Sequence, residues 1–327
     1  MQAFQLTSKG SLDLRKIPIP KPGPGQVQIQ VKAAGLCHSD CHIIKENNPV
    51  FKKPLTLGHE VAGLITAVGP DVVDYCPGDR VAVALLAYPI KIRDLNMAIG
   101  LGFDGGYAGY ALAPVARLVR IPDDVPFSQA AVATDAMATA YHAVVIEAGV
   151  NPDMTIGIIG IGGLGMSGLG FAALKGANVY GIDIVDSKFK EAKRLGAQGC
   201  FKSVHEAKDV AFDVIVDFAG TETTTTSALE CVKEGGKVVV VGLASANFTI
   251  GSYALVGCST TLVGSFGASE DDLKNVFELL ANKSIEPELR EIHFADIPAG
   301  LEALDKGGVQ GRLWADPSKN GVGHNKL

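Results

Sequence analysis

The spacing of apolar side chains divides the sequence into two parts with different secondary structure. Residues 27–31 read Val-Gln-Ile-Gln-Val, so apolar side chains recur at every second position, as in a strand with one buried face. Short apolar segments at 61–68 and 80–85 follow, and glycine and proline separate them. This pattern predicts a compact β-rich domain in the first third of the chain.

From about Thr139 onward, apolar strands alternate with helical segments. The predicted strands are mostly valine and isoleucine, as expected where both faces of a strand are buried, and they lie at 156–159, 179–182, 214–217 and 237–241. After residue 266 the predicted elements are a helix at 269–281, a β segment at 291–294, a helix at 297–306 and a strand at 311–315. The fold class is therefore predicted to be α/β, with a doubly wound parallel sheet in the middle of the chain.

A glycine-rich turn joins the first of these strands to a helix of small residues predicted at 166–175. The turn reads Gly160-Ile161-Gly162-Gly163-Leu164-Gly165. In this pattern the first glycine turns the chain, the second lets the backbone approach a pyrophosphate, and the third lets helix and strand pack closely. The helix N-terminus also attracts the phosphate charge. Strand, turn and helix together predict a dinucleotide-binding site.

The residue that ends the next predicted strand indicates which dinucleotide is bound. This residue is Asp183. An acid at this position accepts hydrogen bonds from the hydroxyl groups of adenosine ribose and repels a 2′-phosphate. NAD is therefore favoured over NADP.

Composition limits the partners and the compartment. The 327 residues carry a net charge of −6 without a basic stripe, so neither nucleic acid nor an anionic membrane is an expected partner. No secretory signal or membrane-spanning segment is visible. Six cysteines without regular spacing indicate thiols in a reducing compartment such as the cytoplasm. The C-terminal Asn-Lys-Leu is a near match to a peroxisomal signal, which leaves that compartment as the alternative.

Two short segments of the β-rich part concentrate side chains that bind metals. Residues 35–42 read Gly-Leu-Cys-His-Ser-Asp-Cys-His, and residues 58–60 read Gly-His-Glu. Thiolate and imidazole are good zinc ligands, and a catalytic zinc site needs three protein ligands with one position open for substrate or water. Buried cysteines and ordinary loop histidines would give the same composition. The two segments alone leave both interpretations open.

Together with the glycine-rich turn, these segments resemble the zinc-dependent alcohol dehydrogenases of the medium-chain dehydrogenase/reductase superfamily. The resemblance rests on motifs at 35–40, 57–63, 78–82 and 160–165, in the family's order and at its spacing, and it covers residues 1 to about 317. It implies a GroES-like catalytic domain formed by residues 1–136 and 266–327, interrupted by a Rossmann NAD-binding domain at 137–265. It also implies one catalytic zinc ion (Zn²⁺), NAD as cofactor and a small alcohol or carbonyl compound as substrate.

The resemblance also implies the zinc ligands. Cys37 and His59 match the first two, and Asp40 matches the carboxylate that orients the His59 ring. The usual third ligand of the family is a cysteine, whereas this sequence has Asp135, as in a minority branch that includes bacterial secondary-alcohol dehydrogenases. A carboxylate is an accepted zinc ligand. The alternative role of Asp135 is that of an acid near a helix N-terminus, where the helix dipole favours it.

Further matching positions imply roles in proton transfer and cofactor binding. Ser39 matches the hydroxyl that takes the substrate proton, and His42 matches the base that passes it to solvent. Glu60 matches an acid beside the metal that can approach or transiently bind zinc during ligand exchange. The residues expected to contact the cofactor are His38, Thr139, Gly160, Gly162, Gly163, Leu164, Gly165, Asp183, Lys188, Val241 and Arg312. For Lys188 and Arg312 the alternative is a solvated surface charge.

Two features depart from the commonest pattern of the family. The segment between Arg80 and Gly105 has none of the four cysteines that hold a structural zinc ion in many relatives, so a structural metal is not expected. Cys41 follows Cys37 closely and could in principle compete for the metal, although the family does not use this position as a ligand. Family precedent implies a homodimer or a homotetramer.

The predicted function is hydride transfer between NAD(H) and an alcohol, aldehyde or ketone at a zinc site. Two alternatives belong to the same superfamily: a biosynthetic enoyl or imine reductase, and a polyol dehydrogenase. A non-enzymatic NAD-binding protein of the same fold is a third, although Ser39 and His42 argue against it. The substrate pocket is expected near Ser39, residues 44–50, residues 88–103 and Phe266, and the preferred alcohol stays open.

Overall fold

The computed structural model describes residues 1–8, 10–46 and 53–319. The C-terminal Asn-Lys-Leu and the greater part of the predicted pocket segment at 44–50 lie outside these ranges. The chain forms two compact units, one of Met1–Ala138 with Ala268–Leu327 and the other of Thr139–Gly267. None of the helices in the described ranges has the length and apolar character needed to cross a bilayer.

The secondary structure of the described ranges is as follows. The strands are β1 (Gln2–Leu6), β2 (Leu12–Lys16), β3 (Gln26–Gly35), β4 (Leu55–Thr56), β5 (Glu60–Val68), β6 (Arg80–Val83), β7 (Tyr110–Pro114), β8 (Leu118–Arg120), β9 (Thr155–Ile159), β10 (Asn178–Ile182), β11 (Gly199–Phe201), β12 (Phe212–Asp217), β13 (Val232–Val240), β14 (Thr261–Gly264), β15 (Leu289–Ile292) and β16 (Arg312–Ala315). The α-helices are α1 (His38–Glu46), α2 (Phe127–Val132), α3 (Ala138–Tyr141), α4 (Gly163–Leu174), α5 (Phe189–Arg194), α6 (Glu222–Cys231), α7 (Ser252–Val256), α8 (Glu270–Ala281) and α9 (Ile297–Asp305). Two π-helical segments flank α3, at Ala133–Met137 and His142–Glu147.

The first unit is built on a seven-stranded sheet with β3 at its centre. The strand order is β15-β16-β3-β5-β6-β8, and β7 also pairs with β3. Val27, Ile29 and Val31 of β3 are fully buried and alternate with less buried glutamines, as the period-two pattern predicts. Because β15 and β16 belong to the same sheet, the last part of the chain completes the core that the first part begins. A smaller antiparallel sheet has the order β2-β1-β4.

The second unit contains a six-stranded parallel sheet in the order β11-β10-β9-β12-β13-β14. Counted within the unit, this order is 3-2-1-4-5-6, the arrangement of the doubly wound dinucleotide-binding fold. The order reverses between β9 and β12, which are paired, and ligands of such sheets bind outside the carboxyl ends of the strands at this point. The sheet confirms the predicted α/β fold class.

Several element boundaries differ from the sequence-based predictions for local reasons. The helix predicted at 166–175 begins earlier, at Gly163, because the last residues of the glycine turn already adopt helical geometry. The helix predicted from residue 269 begins at Glu270, since Ser269 caps it by accepting a hydrogen bond from the Asp272 amide. The β segment predicted at 291–294 is the strand β15, which ends at Ile292, and a short 3₁₀ helix starts at Phe294.

Candidate metal and cofactor sites

Three possible metal ligands converge in the first unit. Cys37, His59 and Asp135 are buried, and their ligand atoms all lie within 4.8 Å of one another. Asp135 Oδ2 is 3.4 Å from Cys37 Sγ and 3.4 Å from His59 Nε2. Within the described ranges this is the one group of three or more histidine, cysteine and acidic side chains with such spacing. Thiolate, imidazole and carboxylate together form a suitable donor set for zinc.

The strand pairing explains why these residues meet. The last residue of β3, Gly35, lies opposite the first residue of β5, Glu60, in antiparallel register. Cys37 follows β3 and His59 precedes β5, so the two side chains emerge at the same end of the strand pair. Asp135 comes from the π-helical segment Ala133–Met137. Such single turns of π-helix inside helical segments occur often at functional sites.

Charges around the cluster favour a cation at its centre. Burial alone would lower the pKa of His59, but the Asp40 carboxylate and a hydrogen bond to Asp135 raise it well above its usual range. Burial alone would raise the pKa of Asp135, yet the hydrogen bond from His59 lowers it to about 2. The buried acids therefore favour positive charge here, which a zinc ion would supply, so the residues fit this metal.

Asp40 holds two of the three possible ligands in place. Its Oδ1 accepts a hydrogen bond of 3.2 Å from Nδ1 of His59, which leaves Nε2 of the ring directed at the cluster. Its Oδ2 accepts a 3.3 Å hydrogen bond from the backbone amide of Cys37. The side chain is fully buried. This is the arrangement in which a carboxylate fixes the tautomer and orientation of a metal-binding histidine.

Tyr107 was missed by the sequence analysis. Its hydroxyl donates a 2.7 Å hydrogen bond to Asp40 Oδ2 and is fully buried. Burial and the adjacent Asp40 raise the pKa of Tyr107 well above its usual range, so the hydroxyl remains a donor. The one signal in the sequence is an aromatic residue directly after the glycine pair at 105–106, and nothing in that signal indicates Asp40 as its partner.

Glu60 and Arg312 form a buried ion pair in the first unit. Nη2 of Arg312 lies in hydrogen-bonding contact with Oε1 of Glu60, and Arg312 is only 3 % exposed. Burial raises the pKa of Glu60, and the guanidinium opposes this shift. A side chain at Gly35 would overlap the Glu60 carboxylate, because its Cβ would lie 1.8 Å from Oε2. The structure therefore places Arg312 in the core beside Glu60, where the surface-charge alternative does not apply.

Helix α1 carries the residues expected to contact substrate and cofactor in this unit. Ser39 is exposed, and its hydroxyl lies 3.6 Å from Cys37 Sγ. His42 is exposed, and His38 places its Nε2 2.9 Å from the Leu304 carbonyl oxygen. Cys41 points away from the cluster, with Sγ 3.4 Å from the Leu301 carbonyl oxygen, and burial raises its pKa to about 12. Cys41 is therefore a packed thiol, outside the group of possible ligands.

The glycine turn of the second unit has the geometry expected of a pyrophosphate-binding turn. Gly160 has a φ of +78°, a conformation that favours glycine. A Cβ on Gly165 would lie 2.1 Å from the Gly160 carbonyl oxygen, whereas a Cβ on Gly162 would meet nothing within 4 Å. Gly162 is exposed, and Gly163 and Leu164 form the first turn of α4. The turn thus presents open backbone at a helix N-terminus.

Asp183 lies directly after β10, as predicted, and is mostly buried. It accepts hydrogen bonds of 2.9 Å from the Val185 amide and 2.8 Å from Lys188 Nζ. Thr139 is buried in α3. Val241 follows β13, and its amide donates a 2.9 Å hydrogen bond to the Asp217 carbonyl oxygen. Asp183 and Lys188 therefore form one acid and amine pair at the end of a sheet strand.

Asp217 at the end of β12 is a second residue that the sequence analysis missed. Its buried carboxylate accepts hydrogen bonds of 2.9 Å from the amides of Ala219 and Gly220 and of 2.8 Å from the hydroxyls of Thr224 and Thr225. A Cβ on Gly160 would lie 2.8 Å from the Ala219 nitrogen. Asp217 therefore holds the loop that packs against the first glycine of the turn.

Two protein families match the chain. The alcohol dehydrogenase GroES-like domain matches residues 23–123, and the zinc-binding dehydrogenase family matches residues 163–282. The first match includes Cys37 and His59, and the second begins inside the glycine turn. Fold, ligand cluster and turn together define a zinc-binding, dinucleotide-dependent dehydrogenase.

Relatives that match over nearly the whole chain identify the family. The chain is 30% identical over 325 residues to an alcohol dehydrogenase of Geobacillus stearothermophilus, and the alignment covers 93% of this chain and 95% of the relative. It is 32% identical over 318 residues to an NAD-dependent alcohol dehydrogenase of Sulfurisphaera tokodaii, and the alignment covers 88% of this chain and 91% of the relative. The solved structure of acetophenone reductase from Geotrichum candidum in complex with NAD matches with a TM-score of 0.89 at 32% sequence identity. The superposition covers 97% of this chain and 98% of the reductase. The chain belongs to the zinc-type alcohol dehydrogenases of the medium-chain dehydrogenase/reductase superfamily, as its motifs predict.

The glycine turn gives a prediction on stability. Gly165→Ala is expected to lower the free energy of unfolding by about 2 kcal/mol, because the added methyl overlaps the Gly160 carbonyl. Gly162→Ala is the matched control and is expected to lower it by no more than about 1 kcal/mol, since its methyl meets no neighbour and the loss is limited to that of a poorer N-cap residue. Urea unfolding followed by circular dichroism measures both. Equal losses in the two variants would contradict the packing described for Gly165.

Proposed function

We propose that this chain catalyses the reversible NAD-dependent oxidation of an alcohol to an aldehyde or ketone, with one zinc ion held by Cys37, His59 and Asp135. The observation that carries the proposal is the buried convergence of these three ligand atoms within 4.8 Å. Membership in the zinc-type alcohol dehydrogenase family supports the reaction class. Three protein ligands are the number that a catalytic zinc site uses when one position stays open for substrate.

The residues of the first unit would have separate roles in metal binding and proton transfer. Bound zinc would supply a Lewis acid that stabilises negative charge on the substrate oxygen. Asp40 holds the His59 ring by its Nδ1 atom, so that Nε2 remains available to the metal. Ser39, whose hydroxyl lies 3.6 Å from Cys37 Sγ, would accept the proton of the substrate hydroxyl. His42 is exposed and would pass that proton to solvent.

The buried ion pair of Glu60 and Arg312 affects the charge at the metal site. Glu60 is buried and pairs with Arg312, and a fully buried acid beside a cation site changes the charge that the site can accept. We propose that Arg312 neutralises Glu60, which keeps the acid from competing with the three ligands. If Arg312 also contacts the cofactor pyrophosphate, its guanidinium would have to donate hydrogen bonds to both the Glu60 carboxylate and the pyrophosphate.

The second unit would bind the cofactor. NAD supplies the hydride acceptor when bound, and the open backbone of residues 160–165 would receive its pyrophosphate. Asp183 would accept hydrogen bonds from the adenosine ribose, with Lys188 held beside it at 2.8 Å. Thr139, Val241 and, from the first unit, His38 are proposed as further cofactor contacts on the strength of the matching family positions.

Domain roles, assembly and compartment are also proposals. Residues 1–136 with 266–327 are proposed as the catalytic domain, and residues 137–265 as the NAD-binding domain. The family resemblance supports a homodimer or homotetramer. The cysteines are all free thiols, which supports a reducing compartment such as the cytoplasm.

The reaction itself is tested by following nicotinamide absorbance with a panel of primary, secondary, cyclic and polyhydroxy alcohols. 1-Phenylethanol is included because one similar structure is that of an acetophenone reductase. Oxidation that requires NAD and stops with a strong chelator is expected, and NADP is expected to serve poorly because of Asp183. A preference for polyhydroxy compounds would favour the polyol alternative. Turnover indifferent to the chelator, or no oxidation at all, would contradict the proposal and favour an enoyl or imine reductase.

The third ligand is tested by replacing Asp135. Asp135→Ala is expected to weaken zinc binding by more than about 100-fold and to abolish oxidation, because a site with two protein ligands holds zinc poorly. Asp135→Cys is expected to keep zinc, since thiolate is an equally good ligand. Asp13→Ala, at an exposed acid of β2, is the surface control and should resemble the unchanged protein. Zinc content is measured by atomic emission; full zinc content and activity in Asp135→Ala would refute the assignment.

A further inference from the structure

Backbone hydrogen bonds connect the segment around Tyr107 to the segment that carries His59. Tyr107 is fully buried, and its backbone amide donates a 2.9 Å hydrogen bond to the Leu57 carbonyl oxygen, two residues before His59. The Gly106 amide likewise donates a 2.7 Å hydrogen bond to the Gly58 carbonyl oxygen. The segment that contains Tyr107 therefore runs beside the segment that carries His59.

The glycine before His59 makes room for the tyrosine ring. A Cβ on Gly58 would lie 2.4 Å from Cδ1 of Tyr107, so the ring occupies the space that a side chain would otherwise fill. This packing directs the hydroxyl of Tyr107 to Oδ2 of Asp40 at 2.7 Å. The hydroxyl also lies 3.3 Å from the Gly35 carbonyl oxygen, at the end of β3. The position of the hydroxyl is thus fixed by its ring and by two neighbours.

We propose that Tyr107 is a positioning residue of the metal site, acting through Asp40 on both His59 and Cys37. The inference rests on the proposed zinc site. Asp40 accepts from His59 with Oδ1 and from the Cys37 amide and the Tyr107 hydroxyl with Oδ2. One carboxylate therefore receives the tyrosine hydroxyl, the ring of one ligand and the backbone of another.

The Tyr107 hydroxyl fixes the orientation of the Asp40 carboxylate. The plane of Asp40 is held on the His59 side by one hydrogen bond and on the other side by the Tyr107 hydroxyl, the shortest of the three contacts. A hydrogen bond to an ionised acceptor is roughly twice as strong as one between neutral groups. Without the hydroxyl, the weaker 3.3 Å contact to the Cys37 amide would have to hold Oδ2 alone. The carboxylate would then rotate more freely and hold the His59 ring less firmly.

The test is Tyr107→Phe, which removes one oxygen and keeps the ring. Tyr75→Phe is the matched control, because its hydroxyl also donates within the first unit, at 3.0 Å to the Leu118 carbonyl oxygen, but away from the metal site. Zinc affinity is measured by competition with a chromophoric chelator on the full-length protein. Tyr107→Phe is expected to weaken zinc affinity about tenfold, the lower range for residues that support metal ligands. Tyr75→Phe is expected to leave it unchanged.

Two further measurements separate positioning from a general loss of stability. The visible spectrum of the cobalt-substituted protein is expected to shift in Tyr107→Phe and to stay constant in Tyr75→Phe, because only the first change alters ligand geometry. The effects of Tyr107→Phe and Asp40→Asn on zinc affinity are expected to be less than additive, since both act through the same carboxylate.

The outcomes separate the role of Tyr107 from the existence of the zinc site. Wild-type zinc affinity and cobalt spectrum in Tyr107→Phe, or an equal loss in Tyr75→Phe, would overturn the role of Tyr107 and leave the zinc site intact. If the unchanged protein binds no zinc, the proposed function itself fails, and that result is recognised before any variant is compared.

Discussion

The first unit is organised around the burial of several ionisable side chains in one place. A buried charge is costly unless it is paired or coordinates a metal. Asp40 meets this requirement with three hydrogen-bond donors, and Glu60 meets it by pairing with Arg312. Cys37, His59 and Asp135 meet it by facing one another at metal-binding distance. The pairing of β3 with both β5 and β16 brings Glu60 and Arg312 together and sets the segments that carry Cys37 and His59 side by side. Asp135 reaches the cluster from the π-helical segment.

The second unit meets a different constraint. The glycine turn at 160–165 must leave backbone accessible to a ligand and still pack closely against the rest of the unit. Gly162 is exposed and unobstructed, whereas Gly165 packs against Gly160 with no space for a methyl group. The Asp217 carboxylate holds the neighbouring loop with two hydrogen bonds from loop amides and accepts two more from hydroxyls of α6. The turn is therefore closely packed where it contacts the rest of the unit and open where phosphate would lie, as recognition by backbone amides requires.

The fold class and the family could be predicted from the sequence because their signals are local. The alternation in 27–31, the apolar strands after Thr139 and the order of glycines at 160–165 each lie within a few neighbouring residues, and the doubly wound sheet and the family match confirm what they indicate. The convergence of the possible ligands was foreseen through the family resemblance, since nothing local connects Cys37 to Asp135, 98 residues further along.

The supporting contacts could not be predicted for the same physical reason. Tyr107 and Asp40 are 67 residues apart, and Glu60 and Arg312 are 252 residues apart, so their pairing depends on the packing of whole strands. Asp217 ends an ordinary buried strand, and its role depends on a loop that bends back toward its carboxylate. Arg312 was predicted to contact the cofactor or to be a surface charge, and neither prediction indicated its buried ion pair with Glu60. Periodicity and motif spacing carry no information on such contacts.

The most direct measurement of the central claim is zinc K-edge X-ray absorption on the purified protein. A site formed by Cys37, His59 and Asp135 predicts one sulfur ligand at about 2.3 Å, with the remaining ligands nitrogen and oxygen at about 2.0–2.2 Å. Because the cluster contains a single thiol, a spectrum with two or more sulfur ligands, or a protein that retains no zinc, would contradict the account.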